Sequence, residues 1–436
     1  MGLTVLTVGQ LKKLTVGAVS VMLVGLAATP AHAESARSQQ WHLDAMQAEE
    51  MWKVSRGAGI TVAVIDTGVD ESLPDLKGRV LPGKDFAEIP GGPHDDYSNH
   101  GTSMAALIAA TGKRGGRKGT YGLAPGAKIL PLRMDAKNDD APNAEVADEE
   151  FAESLAAAIR HAATSDAQIL NISMANTYRS QKVDKAIAQA LTKGKLIFAG
   201  VGNSAEEGNP VMYPAANPGV VGISAVDKKI EATDESEHGS QVDLAAPGDE
   251  MVAACPGGTG LCKSHGTSDA TAIASASAAL IWSKHPDWTA NQVTRVLVNT
   301  ASKADPGKSN DYTGHGVIRP RIALKNPGDP GDPSTNPLPG PYNEDNAKKK
   351  AEAKAKDKDD HQAAPAASDD DGTSTGALIG YGLGGAAVLG AAIATPLIVR
   401  RRRTSQPTVA RGYQPPATPW QTTPPPPQHH PNDQRH

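Results

Sequence analysis

Between residues 40 and 325, short apolar runs alternate with stretches whose apolar positions recur every three to four residues. The runs Ile60–Ile65, Ile129–Leu132, Ile169–Ile172, Leu196–Ala199 and Val220–Val226 have the length and continuity of strands buried on both faces. Glu150–Ala163 and Lys182–Leu191 read as amphipathic helices. In the first, Phe151, Leu155 and Ile159 share one face at i, i+4 and i+8. This alternation predicts an α/β domain, a mainly parallel sheet with helices on both faces, and such sheets gather their chemistry at the carboxyl ends of the strands.

Outside that body the pattern changes. Residues 1–33 place Lys12 and Lys13 ahead of the apolar stretch Leu14–Leu26 and end on Ala31-His32-Ala33, as a cleaved export signal does. Residues 326–375 open as NPGDPGDPSTNPLPGP, become charge-dense, and hold too little apolar surface to fold, so a disordered stalk is expected. Gly376–Val399 is an uncharged run of 24 residues. As a helix it would be about 36 Å long at 1.5 Å per residue, enough to cross a hydrocarbon core of about 30 Å. The alternative is a buried Gly/Ala-rich core helix. The Arg400–Arg403 cluster that follows favours a membrane span with the preceding chain outside and residues 400–436, a basic then Pro-rich tail, in the cytoplasm. The expected arrangement is a single-pass type I protein of the plasma membrane with residues 34–325 as its extracytoplasmic folded domain.

Charge and cysteine content narrow the function classes. With 43 basic and 48 acidic residues the net charge is −5, and the chain offers no electrostatic case for binding nucleic acid. The average conceals a tail at 400–436 with six Arg against Asp433. Two cysteines, Cys255 and Cys262, exclude a disulfide-scaffold protein. In an exported chain two cysteines this close pair more readily than they hold a metal, for which the local sequence supplies no further ligands.

Three segments carry candidate chemistry. In Thr61-Val-Ala-Val-Ile-Asp66-Thr-Gly a buried strand ends in a carboxylate and a glycine turn, although Asp66 alone could serve merely as a loop cap. Asn99-His100-Gly-Thr-Ser sets a histidine before an apolar helical run. His265-Gly-Thr-Ser268 opens a long helix of small residues, whose N-terminal N–H groups favour negative charge. Gly-Thr-Ser by itself selects nothing, because it occurs at 101–103, 266–268 and 372–374.

The order and flanks of these segments resemble the subtilisin-like serine proteases, or subtilases, in which Asp, His and Ser follow one another along the chain. The matching residues are Asp66, His100 and Ser268, separated by 34 and 168 positions. The resemblance spans about residues 40–325 and makes Ser103 and His265 bystanders. It implies that His100 acts as base towards Ser268 and as acid towards the leaving amine, with Asp66 fixing the imidazole tautomer. Asn203, in Phe198-Ala-Gly-Val-Gly-Asn203, matches the residue that presents its amide to the oxyanion, and Gly202 lies beside it. Ser173-Met174-Ala175 matches a substrate-lining segment that reads Ser-x-Gly in relatives, so the extra methyl of Ala175 is expected to narrow the first specificity pocket. Asp269 replaces the usual apolar neighbour of the serine, and Ala272 stands where proline is common. No cofactor is required for this chemistry; some subtilases bind structural Ca²⁺, but nothing in the sequence supports a site.

The export signal, catalytic domain, Pro-rich stalk, terminal span and lead-in Trp41…Trp52-x₄-Gly57-x-Gly59 together resemble the mycosins, anchored proteases associated with type VII secretion in actinobacteria. That branch implies protein or peptide substrates and contact with secretion components. The roughly 32 residues between Glu34 and Asp66 leave no room for a large folded inhibitory pro-domain. A scaffold stabilising a secretion complex is the alternative, suggested by Asp269 and by Gly376, Gly380 and Gly384, whose spacing lets membrane helices pack closely.

Overall fold

The computed structural model describes residues 35–136, 141–302 and 309–338; the segments expected to be an export signal, a membrane span and a tail, and most of the expected stalk, lie outside the described residues. Among the described residues no helix is long and apolar enough to cross a membrane.

The strand-like runs build one parallel sheet. Its strands are β1 (Thr61–Asp66), β2 (Lys84–Asp85), β3 (Lys128–Arg133), β4 (Ile169–Ile172), β5 (Leu196–Gly200), β6 (Val221–Val226) and β7 (Leu244–Pro247), in the order β2-β3-β1-β4-β5-β6-β7. The two that apolar runs do not announce are β2, of two residues, and β7, a short Leu-Ala-Ala-Pro at the sheet edge. Strands β8 (Met251–Ala254) and β9 (Leu261–Ser264) form a separate antiparallel hairpin closed by a Cys255–Cys262 disulfide, with Cα atoms 5.6 Å apart.

Side-chain alternation sends each strand into two cores. Val62, Val64, Ile129, Ile169, Phe198 and Ile223 enter one, together with helices α1 (Trp41–Ala45), α2 (Ala48–Trp52), α3 (His100–Ala109), α6 (Thr267–Lys284), α7 (Ala290–Thr300) and α8 (Pro320–Lys325). Ala63, Ile65, Leu132, Leu170 and Ile197 enter the other, under α4 (Ala144–Thr164) and α5 (Gln181–Thr192). Helix α4 starts six residues before the apolar periodicity does, because the Asn143 side chain accepts from Val146 N at 3.0 Å and caps an acidic first turn. Helix α6 is buried nearly all round. Its alanines let it lie close to the sheet, and its polar side chains bond internally: Thr271 to Thr267 O at 2.6 Å and Ser277 to Ile273 O at 2.8 Å.

After β1 the chain first builds β3 on one side and later β4 on the other. Such a reversal is where open α/β sheets place their clefts, and Asp66, Ser173 and Gly202-Asn203 lie at or just beyond the carboxyl ends of β1, β4 and β5.

Chain expected to lack structure from 326 continues as folded chain to 338, which corrects the stalk boundary. The Arg295 guanidinium donates to the carbonyls of Pro330 (2.6 Å), Asp332 (3.1 Å) and Thr335 (2.6 Å), Gln292 Nε2 donates to Gly331 O (3.0 Å), and Leu338 is buried. Polar side chains of α7 thus satisfy a backbone that has few apolar groups of its own, a means of docking that apolar content does not reveal.

The lead-in is bound across the domain in the same way. Gln40 donates to Tyr121 O and Val252 O and accepts from Tyr121 N, while Trp41 Nε1 and Trp52 Nε1 donate to Asp249 O and Leu123 O. Between them His42 is fully buried with neither ring nitrogen bonded. Burial, with a smaller push from Arg37 against the pull of Asp44, drives its pKa down to about 3. A histidine held neutral in the fold stabilises fully above its unfolded pKa of about 6.5, and that contribution is lost as pH falls towards 3. Acidification from pH 6.5 to 5 is therefore expected to cost about 2 kcal/mol through this residue. His42→Leu should flatten the dependence of unfolding midpoint on pH over that range; an unchanged slope would contradict it.

Candidate active site

Strand β1 delivers Asp66 to this end of the sheet with no exposed surface. Its Oδ1 accepts from Thr67 N at 2.8 Å and lies 2.8 Å from His100 Nδ1, so the ring presents Nδ1–H to the carboxylate and Nε2 outward. Close approach of α3 makes this contact. A Cβ on Gly101 would fall 2.2 Å from Gly68 O and 3.0 Å from Asp66 Cβ, so only glycine lets the helix start there. Asp96 anchors the same turn by accepting from Thr67 Oγ1 (2.7 Å), Asn99 N (2.9 Å), Thr102 N (2.8 Å) and Thr102 Oγ1 (2.6 Å).

Ser268 stands in the first turn of α6. Its hydroxyl donates to Ser173 O at 3.2 Å, and no hydrogen bond joins it to His100. In return Ser173 Oγ donates to Ser268 O at 3.2 Å, Asn171 Nδ2 donates to Ser173 Oγ at 3.0 Å, and Ser275 Oγ donates to Asn171 Oδ1 at 2.9 Å. This buried polar line ties the serine turn to β4 and to the interior of α6. Met174 and Ala175 continue from Ser173 as half-buried residues.

Asn203 is exposed at the end of the turn after β5. Its Oδ1 accepts from Thr267 N at 2.8 Å, which leaves Nδ2 as the outward-facing donor. Gly266, with φ at 126°, makes room: a Cβ there would meet the Asn203 amide at 3.0 Å. Ser173 and Ser268 are thus one bonded set, with Asn203 bonded to Thr267, the neighbour of Ser268, and Asp66 with His100 is another. Ser103 is buried within α3, and the exposed His265 pairs through Nδ1 with Glu235 at 2.8 Å. Among the described residues no group of three or more His, Cys, Asp or Glu side chains is arranged to hold a metal ion.

Residues 57–316 match the model of the subtilase family. The chain belongs to that family. As a subtilase it is 31% identical over 271 residues to subtilisin from Bacillus pumilus, covering 62% of this chain and 92% of that protein. The same identity holds to subtilisin E from Bacillus subtilis, of which 66% is covered. Among solved structures it is similar to MycP1 from Mycobacterium smegmatis, at TM-score 0.59 and 28% identity over 70% of this chain and 89% of that one. It is also similar to the MycP3 protease from the type VII (ESX-3) secretion system, at TM-score 0.58 and 32% identity over 68% and 90%. This subtilase is a serine endopeptidase, similar to subtilisins in sequence and to the mycosins MycP1 and MycP3 among solved structures, and the chemistry of its family needs no cofactor.

The charges around the histidine decide when it can act as a base. Burial disfavours the imidazolium, but the charge and hydrogen bond of Asp66, helped by Asp269 and Asp96, outweigh it and raise the His100 pKa to about 9. Asp269 is itself buried, with Ser264 Oγ donating to it at 2.5 Å; burial pushes its pKa up to about 6 against that hydrogen bond and the nearby histidines. Above pH 6 it is therefore an anion that stabilises the imidazolium. With His100 in the role of general base that the sequence implies, it must be unprotonated to act, so kcat/KM should rise with pH and level off only above about 9. Asp269→Asn removes one supporting charge, so its ascending limb should lie at lower pH on a fluorogenic peptide. A limb unmoved, or moved upward, would contradict the assignment.

Asp96, Asn171, Thr267 and Glu237 escaped the sequence reading. Asp96 sits four residues before His100, the first residue of α3, a helix-entry position at which an acid is a usable signal. Asn171 and Glu237 act across the fold and leave no local pattern.

Proposed function

We propose that Asp66, His100 and Ser268 act together as the catalytic triad of this endopeptidase. The observation that carries the reading is the bond between fully buried Asp66 and His100 Nδ1, set at the strand ends beside the helix that bears Ser268. With His100 unprotonated, its Nε2 takes the Ser268 proton as Oγ attacks the scissile carbonyl. The oxyanion is held by Asn203 Nδ2 and the Ser268 backbone N–H. The imidazolium then protonates the departing amine, and water hydrolyses the ester by the same transfers in reverse. The mechanism requires the Ser268 hydroxyl to turn from Ser173 O towards His100 Nε2.

Around this chemistry the export signal 1–33, the stalk and the span 376–399 would hold the domain on the extracytoplasmic face of the plasma membrane as a single-pass type I protein. Likeness to MycP1, an essential component of a type VII secretion system, supports limited processing of protein or peptide substrates beside secretion components. Cys255 and Cys262 would brace the hairpin that leads into Ser268, and Ser173, Met174, Ala175 and Gly202 would line the substrate. The methyl of Ala175 should favour small or slender residues before the scissile bond. Membranes carrying the full chain should cleave a mixed peptide library after such residues, and membranes carrying Ser268→Ala should not. Aromatic preference would overturn the pocket assignment, and equal cleavage by both preparations the triad. The existing bond from Ser268 Oγ to Ser173 O favours a second reading, a scaffold with weak or no catalysis; absence of cleavage with secretion intact would select it.

A further inference from the structure

The turn that carries Asn203 is held from behind by one residue. Glu237 has no exposed surface although it is an acid. Its backbone N–H donates to Gly202 O at 3.2 Å, and its side-chain Oε1 accepts from Ser204 N at 3.0 Å. The two bonds grip the backbone on either side of Asn203. The second carboxyl oxygen, Oε2, has no hydrogen-bond partner and lies against the Gly202 Cα, where a Cβ would come within 2.2 Å of it. Gly202, with φ at 111°, is the residue that admits the carboxyl so close. The far side of the turn is fixed by Thr267, whose Oγ1 accepts from Gly202 N at 3.2 Å and whose N donates to Asn203 Oδ1.

We propose that Glu237 is a positioning residue for peptide hydrolysis, clamping residues 202 and 204 so that the Asn203 amide meets the oxyanion in one orientation. The inference rests on the reading of Asn203 as the oxyanion donor. An isolated turn outside regular structure would let the amide drift, and a displacement of about 1 Å at such a donor can cost about 100-fold in rate. Burying a carboxyl with one oxygen unbonded is costly, and a residue serving only to fill space would be apolar here. Burial also pushes this carboxyl up to about 7, against the pull of the Ser204 and Glu237 N–H groups and with a smaller push from Glu207. The neutral form puts less negative charge behind a developing oxyanion.

The test compares Glu237→Met, which fills similar volume without an acceptor, with Glu237→Gln, whose amide oxygen can still accept from Ser204 N. Rates are taken per fluorophosphonate-titrated active site, so a loss of folded protein does not imitate a loss of rate. Glu237→Met should lower kcat by about 10- to 100-fold while KM changes less than about threefold, and Glu237→Gln should stay within about threefold of wild type. Made on Asn203→Ala, Glu237→Met should add almost nothing, because the group it positions is gone. Wild-type kcat in Glu237→Met, a Gln variant as slow as Met, or losses that multiply with Asn203→Ala would each overturn the proposal. Full activity of Asn203→Ala alone would instead show that the oxyanion reading had failed, and the proposal with it.

Discussion

Replacing Ser268 with Ala is expected to lower kcat by about six orders of magnitude, and His100→Ala to do the same, the loss that follows removal of either residue from a subtilisin. The double variant should be no slower than either single one, because nucleophile and base act as a unit. An alanine at 268 has no oxygen to attack with, and a serine without its imidazole has nowhere to send its proton. Neither change should unfold the protein: Ser268 is only half-buried and its hydroxyl bonds a single carbonyl, while His100 is part-exposed. Progress curves on a fluorogenic peptide, with thermal unfolding measured alongside, check both statements. Losses that multiply in the double variant would mean that the two residues contribute independently.

The second large effect is on the oxyanion. Asn203→Ala should reduce kcat by about 10²–10³, equivalent to about 3–4 kcal/mol, and leave KM nearly unchanged, since in the proposed role the Nδ2 donor meets a charge that exists only in the transition state. The orientation of the amide makes this specific. Thr267 N holds Oδ1, so the outward atom is the donor. Asn203→Asp would present a second acceptor to the oxyanion in place of that donor and should be at least as slow as Asn203→Ala. A variant affected in KM rather than kcat would place Asn203 in ground-state binding instead.

Much of this site can be read in the sequence because its parts are local. A buried strand running into Asp66, a histidine at a helix start and a serine at the head of a small-residue helix each leave a contiguous signature, and their order joins them. The parallel sheet was legible for the same reason, through continuous runs such as Val62–Ile65 and Ile169–Ile172, whereas β2 and β7 are too short to display one. What escaped depends on partners distant in the chain. Asn171 matters because it joins Ser275 to Ser173, and Glu237 because its turn lies beneath residues 202–204. The segment 326–338 looked unstructured by composition, yet its backbone carbonyls find Arg295 and Gln292. Rotamers are likewise beyond the reach of sequence: nothing in Gly-Thr-Ser268 indicates that the hydroxyl rests on Ser173 O.

That resting position gives the pH dependence its meaning. A His100 pKa raised to about 9 favours the imidazolium at neutral pH, and the imidazolium has no lone pair on Nε2 to accept from Ser268. On the proposed mechanism, deprotonation creates the acceptor that draws the hydroxyl away from Ser173.

The convergence of His100 on Ser268 is tested most directly by a fluorophosphonate probe followed by peptide mapping in the mass spectrometer. At pH 9 the wild-type protein should gain one adduct, located on Ser268, with Ser268→Ala unlabelled and His100→Ala labelled at least about 100-fold more slowly. An adduct on another serine, or His100→Ala labelled as fast as wild type, would contradict it.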